Sequence, residues 1–315
     1  MRHPTAPDSV PRLPRGTVAF RDPDTLRAHL TRLRNAAVRE IGRSREGRPV
    51  FGYTFGNGPR AVSVIAGAHA DEPTGPMTAQ ALPLLLEATA PDLLDAFRFH
   101  VVPQVNPDGH ERNRLWFDKQ PRLISYLRHA VREAPGDDIE FGFDDTESAR
   151  PECRVALDFL RPAAPFAAHF SLHGMGFAEG AWFLLCKAWA DRAQSLLQAL
   201  RNTCATVGFP LHDIDRRGEK GFYRLGPGTC TTPTSEGMRA HFLAEGDPAT
   251  AAKFLPNSME AVARWGGDPL CMVSELPLFL LRPEQSSLAD PAIVRFQADR
   301  RALDVGDENA IRRLQ

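Results

Sequence analysis

The chain has 315 residues, enough for one large α/β domain or two modest ones around a substantial core. Apolar residues make up 43% and charged residues 24%, and the formal net charge is −1 with a pI near 6.8, which argues against a general nucleic-acid binder or an anionic-membrane binder. No run approaches eighteen uncharged apolar residues and the opening "MRHPTAPDSVPRLPRG" has no apolar stretch, so neither a membrane span nor a secretory signal is expected, and a cytoplasmic location is.

In chain order, the first fifteen residues read as a flexible proline-rich arm, and residues 16–315 as one domain. "DPDTLRAHLTRLRNAAVREIG" predicts a surface helix with Asp22 or Asp24 as its N-cap. Strands follow at "PVFGYTFG", "RAVSVIAGA", "FRFHVVPQV", "FAAHFSLHG", "AWFLLCKA" and "LCMVSELPLFLL". Between and after them, helical spacing marks "TAQALPLLLEA", "RPECRVALDFL", "WADRAQSLLQALRNTCATVG", "NSMEAVARWGG" and "PAIVRFQADRRALDVG". Nearly all-apolar strands alternating with helices indicate a sheet covered on both faces, whose chemistry gathers at the carboxyl ends of its central strands. Two segments fit neither pattern: residues 117–151 and residues 215–247 read as long excursions able to wall a pocket.

Three strand ends carry chemistry. His69 and Glu72 follow "VSVIAGA", His173 follows "AHFSL", and Glu275 lies in "CMVSELP". Two imidazoles and a carboxylate are a common ligand set for catalytic zinc, and a further carboxylate beside them can take a proton from water. Taken singly, each piece has an ordinary explanation as a polar loop residue. Asn106-Pro107-Asp108-Gly109 is in its own right a turn. His169, four residues before His173 and on the same face of its strand, reads as a core histidine or as a group supporting the site, and His100 reads as structural. The five cysteines are scattered without a CxxC pair, so neither a disulfide framework nor a cysteine zinc site is expected.

HxxE, then a strand ending in NPDG with arginines after it, then strand–His–Gly, then a strand with a late glutamate: over residues 50–280 this order resembles the M14 zinc carboxypeptidase family. The resemblance implies an α/β three-layer sandwich around a mixed, twisted eight-stranded sheet with helices on both faces. It implies one zinc ion per chain held by His69, Glu72 and His173, with Glu275 activating the water that attacks an amide. "GDDIEFGF" resembles the family segment whose aspartate orients the first histidine, which places Asp138 in that role. The family's oxyanion arginine matches Arg114 or Arg112, with Asn113 between them and Phe117 where pancreatic-type members carry arginine.

The family's Asn-Arg grip on a substrate carboxylate reads Glu140-Phe141 here, so the expected substrate is a small peptide or amino-acid amide other than an ordinary C-terminal peptide. It would present a neutral or cationic group to Glu140, or be gripped by Arg216, Arg217, Arg224 or Arg239. Tyr223 is the tyrosine able to reach the site, and Glu236 is a spare base. Two other readings stay open: a deacylase resembling the aspartoacylase and succinylglutamate desuccinylase branch, and a catalytically silent zinc-binding module.

Overall fold

The computed structural model describes residues 35–117 and 122–281, together with Ala28 and Arg32. Nine strands form one mixed sheet: β1 (Ala37–Arg43), β2 (Pro49–Phe55), β3 (Arg60–Ala66), β4 (Phe97–Val102), β5 (Phe166–Ala178), β6 (Trp182–Leu185), β7 (Arg224–Gly226), β8 (Thr229–Thr231) and β9 (Leu270–Leu280), in the spatial order β1-β2-β4-β3-β5-β9-β6-β8-β7. The six strands read from the sequence are all present. The expected count of eight is corrected to nine.

The added strand at one edge comes from the segment assigned to the first helix. Val38 and Ile41 pack on opposite faces there, the register shifts between Glu40 and Gly42, and a turn that closes Ser44 N–H on Arg48 O at 2.8 Å folds β1 back on β2 as an antiparallel hairpin. Arg39, Glu40 and Arg43 then face water on an edge strand, where charge discourages pairing with another chain. The N-terminal arm, most of that predicted helix and the helix "PAIVRFQADRRALDVG" lie outside the described residues.

One face of the sheet is covered by the helices Pro151–Leu160 and Ser258–Ala263, which bury Leu157, Leu160 and Val262 against Val50, Ile65 and Phe166. On the other face, the helix Thr74–Thr89 sets Ala79 against Val62, Val64 and Val101, and Gln194–Thr206 sets Leu197 against Leu185 and Met272. This is the three-layer arrangement the alternating pattern predicts. Each fully buried aliphatic or aromatic side chain stabilises it by about 1.5–3 kcal/mol.

The layout fixes where a site can form. β3, β5 and β9 are adjacent, parallel and central, so their carboxyl ends open at the same edge. From β3 the chain proceeds to β4 on one side and later to β5 on the other, which leaves a crevice between the two crossovers. Gly67 (φ +73°) turns the chain out of β3 there, a conformation an L side chain rarely adopts. Gly75 lets the next helix begin against the Leu172 carbonyl of β5, where a Cβ would fall 2.0 Å from that oxygen.

Candidate metal centre

His69 and Glu72 sit in the loop between β3 and its helix, and His173 sits on β5. Their ligand atoms all lie within 4.8 Å of one another. His69 Nδ1 is 3.1 Å from His173 Nδ1. Glu72 divides its oxygens between them, Oε1 at 2.9 Å from His69 Nδ1 and Oε2 at 3.0 Å from His173 Nδ1. Donors held about 2.0–2.1 Å from one tetrahedral zinc ion lie roughly 3.3 Å apart, so these spacings fit such an ion. Two imidazole nitrogens facing each other so closely otherwise require a proton between their lone pairs.

The outer nitrogens of both rings face carboxylates. His173 Nε2 lies 2.9 Å from Glu140 Oε2 and 2.8 Å from Ser171 Oγ; His69 Nε2 lies 4.0 Å from Asp138 Oδ2. An imidazole held as His173 is keeps a fixed tautomer and gains basicity, whereas Asp138 is beyond hydrogen-bond reach of His69. Burial opposes charge on His173, yet Glu140 and Glu72 outweigh it and hold the ring well above the usual imidazole range. Burial pushes Glu72 up, but His69, Arg132 and His173 overcome this and hold it well below the ordinary carboxylate range. Asp138 is shifted the other way: burial raises it, against the pull of His69 and Arg132.

Glu275 is paired with His173 across the β5–β9 ladder, so the two side chains share a face of the sheet. Burial and the nearby Glu72 push its carboxyl up to about 8. Its Oε2 is buried and has no hydrogen-bond partner among the described residues. Glu275 lines a cavity of about 460 Å³ together with His69, Glu72 and His173. Both excursions wall this cavity, the first with Arg132, Asp138 and Phe141, the second with Arg216, Lys220 and Phe222. Neither is structureless: the first holds the helix Leu123–His129, and the second supplies β7, β8 and the helix Ser235–Ala244.

Other expected residues stand elsewhere. Arg112 pairs with Glu46 and lies 3.8 Å from Glu133; Arg114 lies 3.4 Å from Glu111; neither lines the cavity. The guanidinium beside the ligands is that of Arg132, with Nη1 2.5 Å from Glu72 Oε1 and 3.1 Å from Asp71 Oδ1. Nothing in "VREAPG" marks it in sequence, because it reaches the site only through the path of the first excursion.

Asn113 is buried outside the cavity. It donates to the Gly109 and Val131 carbonyls and accepts from Trp116 Nε1 and Val131 N–H, which anchors the chain one residue before Arg132. Tyr223 is 54% exposed and is not part of the wall; its neighbour Phe222 is. Glu140, expected to face the substrate, lies against His173, as given above. Arg224 is taken up by Asp213 and Arg239 by the Phe254 carbonyl, whereas Arg216 stacks its guanidinium 4.7 Å from the Phe222 ring centre and 5.5 Å from that of Trp182. His169 is a core residue, its two ring nitrogens 2.8 Å from Ser63 Oγ and 3.0 Å from Ser258 Oγ.

Residues 29–177 match the family model described as zinc carboxypeptidase, Peptidase_M14, a span that includes His69, Glu72 and His173 and stops before Glu275. That stretch is similar to the zinc carboxypeptidase family. Zinc is the metal of this family, and the donor set fits it. The fold is shared with a metallo-carboxypeptidase of Burkholderia cenocepacia (17% identity, TM-score 0.51, covering 81% of this chain and 58% of that one). It is also shared with a Shewanella baltica OS155 protein provisionally described as a metallopeptidase (20%, 0.51, 87% and 89%). A third is a Pseudomonas aeruginosa metallo-carboxypeptidase in complex with (2-guanidinoethylmercapto)succinic acid (17%, 0.51, 81% and 59%). The chain therefore spans about three-fifths of the Burkholderia and Pseudomonas chains. No curated protein sequence matches it. Among the described residues no helix is long and apolar enough to cross a membrane.

Proposed function

We propose that the chain is a zinc-dependent amide hydrolase of the carboxypeptidase type, acting on small peptides or amino-acid amides. The observation that carries this reading is the meeting, in one cavity, of the His69–Glu72–His173 donor set with the unpartnered carboxylate oxygen of Glu275 on the adjoining strand. A pure binding site has no use for that second, buried acid.

Zinc bound by the three residues supplies Lewis acidity, which polarises a carbonyl and eases deprotonation of water. Beside bound zinc the burial that raises the Glu275 carboxyl is offset and the ionised form favoured, and that form takes the proton from the attacking water and passes it to the leaving amine. Arg132, on the cavity wall beside the ligands, balances negative charge as it grows on the carbonyl oxygen. This role moves from Arg112 and Arg114, whose guanidinium groups are engaged outside the cavity. Glu140 orients His173, and Asp138 faces the outer nitrogen of His69 from 4.0 Å. Because Glu140 is committed to His173, a substrate carboxylate is better met by Arg216 and Lys220, the cations of the second excursion, next to the apolar wall of Trp182, Leu184 and Phe222.

The test is turnover by zinc-loaded protein on C-terminal peptides, N-acyl amino acids and amidated substrates. Glu275→Gln should retain zinc and lose activity on the order of hundreds-fold or more. Hydrolysis of N-acyl amino acids alone would favour the deacylase reading. Zinc binding without turnover on any of the three would favour a silent binding module.

A further inference from the structure

Away from the metal ligands, two of the five cysteines face each other across the sheet. β6 and β9 run antiparallel with Leu184 opposite Val273 and Leu185 opposite Met272. Continued by one step, that register sets Cys186 directly opposite Cys271, and the Cys186 N–H donates to the Cys271 carbonyl at 2.9 Å. Directly opposed residues point to the same face. Packing agrees: Cys186 and Cys271 share one cluster with Trp182, Leu184 and Val273, while Leu185 and Met272 belong to the cluster on the other side. Hydrogen-bonded antiparallel pairs hold their Cα atoms about 5.5 Å apart, inside the roughly 4.4–6.8 Å range that a disulfide spans.

The pair is also reachable. Cys271 is buried, but Cys186 is only partly so, and both line a second cavity of about 230 Å³ together with Lys187, Thr232 and Asn257. Hydrogen bonds from the Cys271 thiol and the Trp189 N–H draw the Cys186 thiol down to about 7, whereas its bond to Cys186 and burial push Cys271 up. The more accessible sulfur is thus the better nucleophile. The other three behave differently: Cys153 and Cys230 are buried with thiols raised by burial, and Cys204 sits on a helix of the opposite layer.

We propose that Cys186 and Cys271 form a redox dithiol that closes to a cross-strand disulfide by exchange with a small-molecule disulfide of the glutathione class. The Cys186 thiolate attacks one sulfur of glutathione disulfide; that S–S bond breaks, a new one forms at Cys186, and one glutathione thiolate leaves and is protonated. Cys271 then loses its proton and attacks the Cys186 sulfur, expelling the second glutathione. The two protein thiols are oxidised by two electrons and one glutathione disulfide is reduced to two thiols. Trp182 and Leu184 of β6 and Val273 and Glu275 of β9 line the larger cavity, so the bond would tie strands that carry the wall of the candidate active site.

The experiment treats the full-length protein with glutathione disulfide at neutral pH, quenches with acid, and counts free thiols after denaturation, with peptide mass mapping. The expected result is a loss of two thiols, a link joining the peptides that carry Cys186 and Cys271, and recovery of all five thiols with dithiothreitol. Cys271→Ser should stop at a stable glutathione adduct on Cys186, and Cys186→Ser should leave its remaining thiols unreacted. Persistence of five thiols, a lasting adduct on Cys186 in the unaltered protein, or a link from Cys186 to Cys230 would overturn the proposal. None of these readouts depends on hydrolytic activity.

Discussion

Replacing Glu140 by glutamine separates two accounts of one residue. Its position in the chain suggests an acid facing the substrate; the structure sets its Oε2 2.9 Å from His173 Nε2, with the side chain almost wholly buried. Glutamine keeps the shape and removes the charge that favours an imidazole with its outer nitrogen protonated. Loss of such an outer partner typically weakens metal binding 10–100-fold. Ser171 Oγ, 2.8 Å from the same nitrogen, remains in place, so the lower figure applies: about tenfold, or roughly 1.4 kcal/mol. Pairing the change with Ser171→Ala should bring the loss toward a hundredfold. Zinc affinity is measured by competition with a chelator of known affinity, and steady-state kinetics are taken at saturating zinc. If Glu140→Gln binds zinc within twofold of the parent and only KM moves, Glu140 addresses the substrate and the assignment to His173 is wrong.

Acid should act through His169. Burial brings its pKa to about 4 in the folded chain against about 6.5 when unfolded, so the unfolded state binds the extra proton between those values and stability falls as pH drops from 6.5 towards 4. Urea unfolding at pH 7 and pH 5 should differ by about 2 kcal/mol from this residue alone, and His169→Gln should flatten the slope by that amount. Asn113→Ala strips four hydrogen bonds from a fully buried site and should cost on the order of 3 kcal/mol in the same assay, with turnover falling as Arg132 loses its anchor. A stability change under about 1 kcal/mol would contradict that role. Zinc at a thousandfold excess over its dissociation constant should stabilise the protein by about 4 kcal/mol in thermal unfolding, an effect that a chelator reverses and His173→Ala abolishes. An unchanged midpoint would remove the metal site.

The six strands and four of the six helices assigned from periodicity are present because alternating and 3.6-residue patterns report local burial directly, while the end of the first assigned helix is strand β1. The last assigned helix, "PAIVRFQADRRALDVG", lies outside the described residues. β1 escaped because its short run of branched and charged residues carries both periods, and pairing with β2 decides between them. The helix Leu123–His129 and strands β7 and β8 fall inside segments whose composition resembles loop, and they take form only against the rest of the fold.

The candidate site divides along the same line. His69, Glu72, His173 and Glu275 are legible because each lies in or just past a strong apolar run, although His173 and Glu275 stand mid-strand on β5 and β9 and not at the strand ends expected for them. Their identities and spacing were thus determined by the sequence itself. Arg132, Glu140, Arg216 and the Cys186–Cys271 pair depend on how two long excursions and two antiparallel strands are laid across the sheet. Such placements arise from contacts between residues far apart in the chain, which leave no local period to read, so only the tertiary structure decided them.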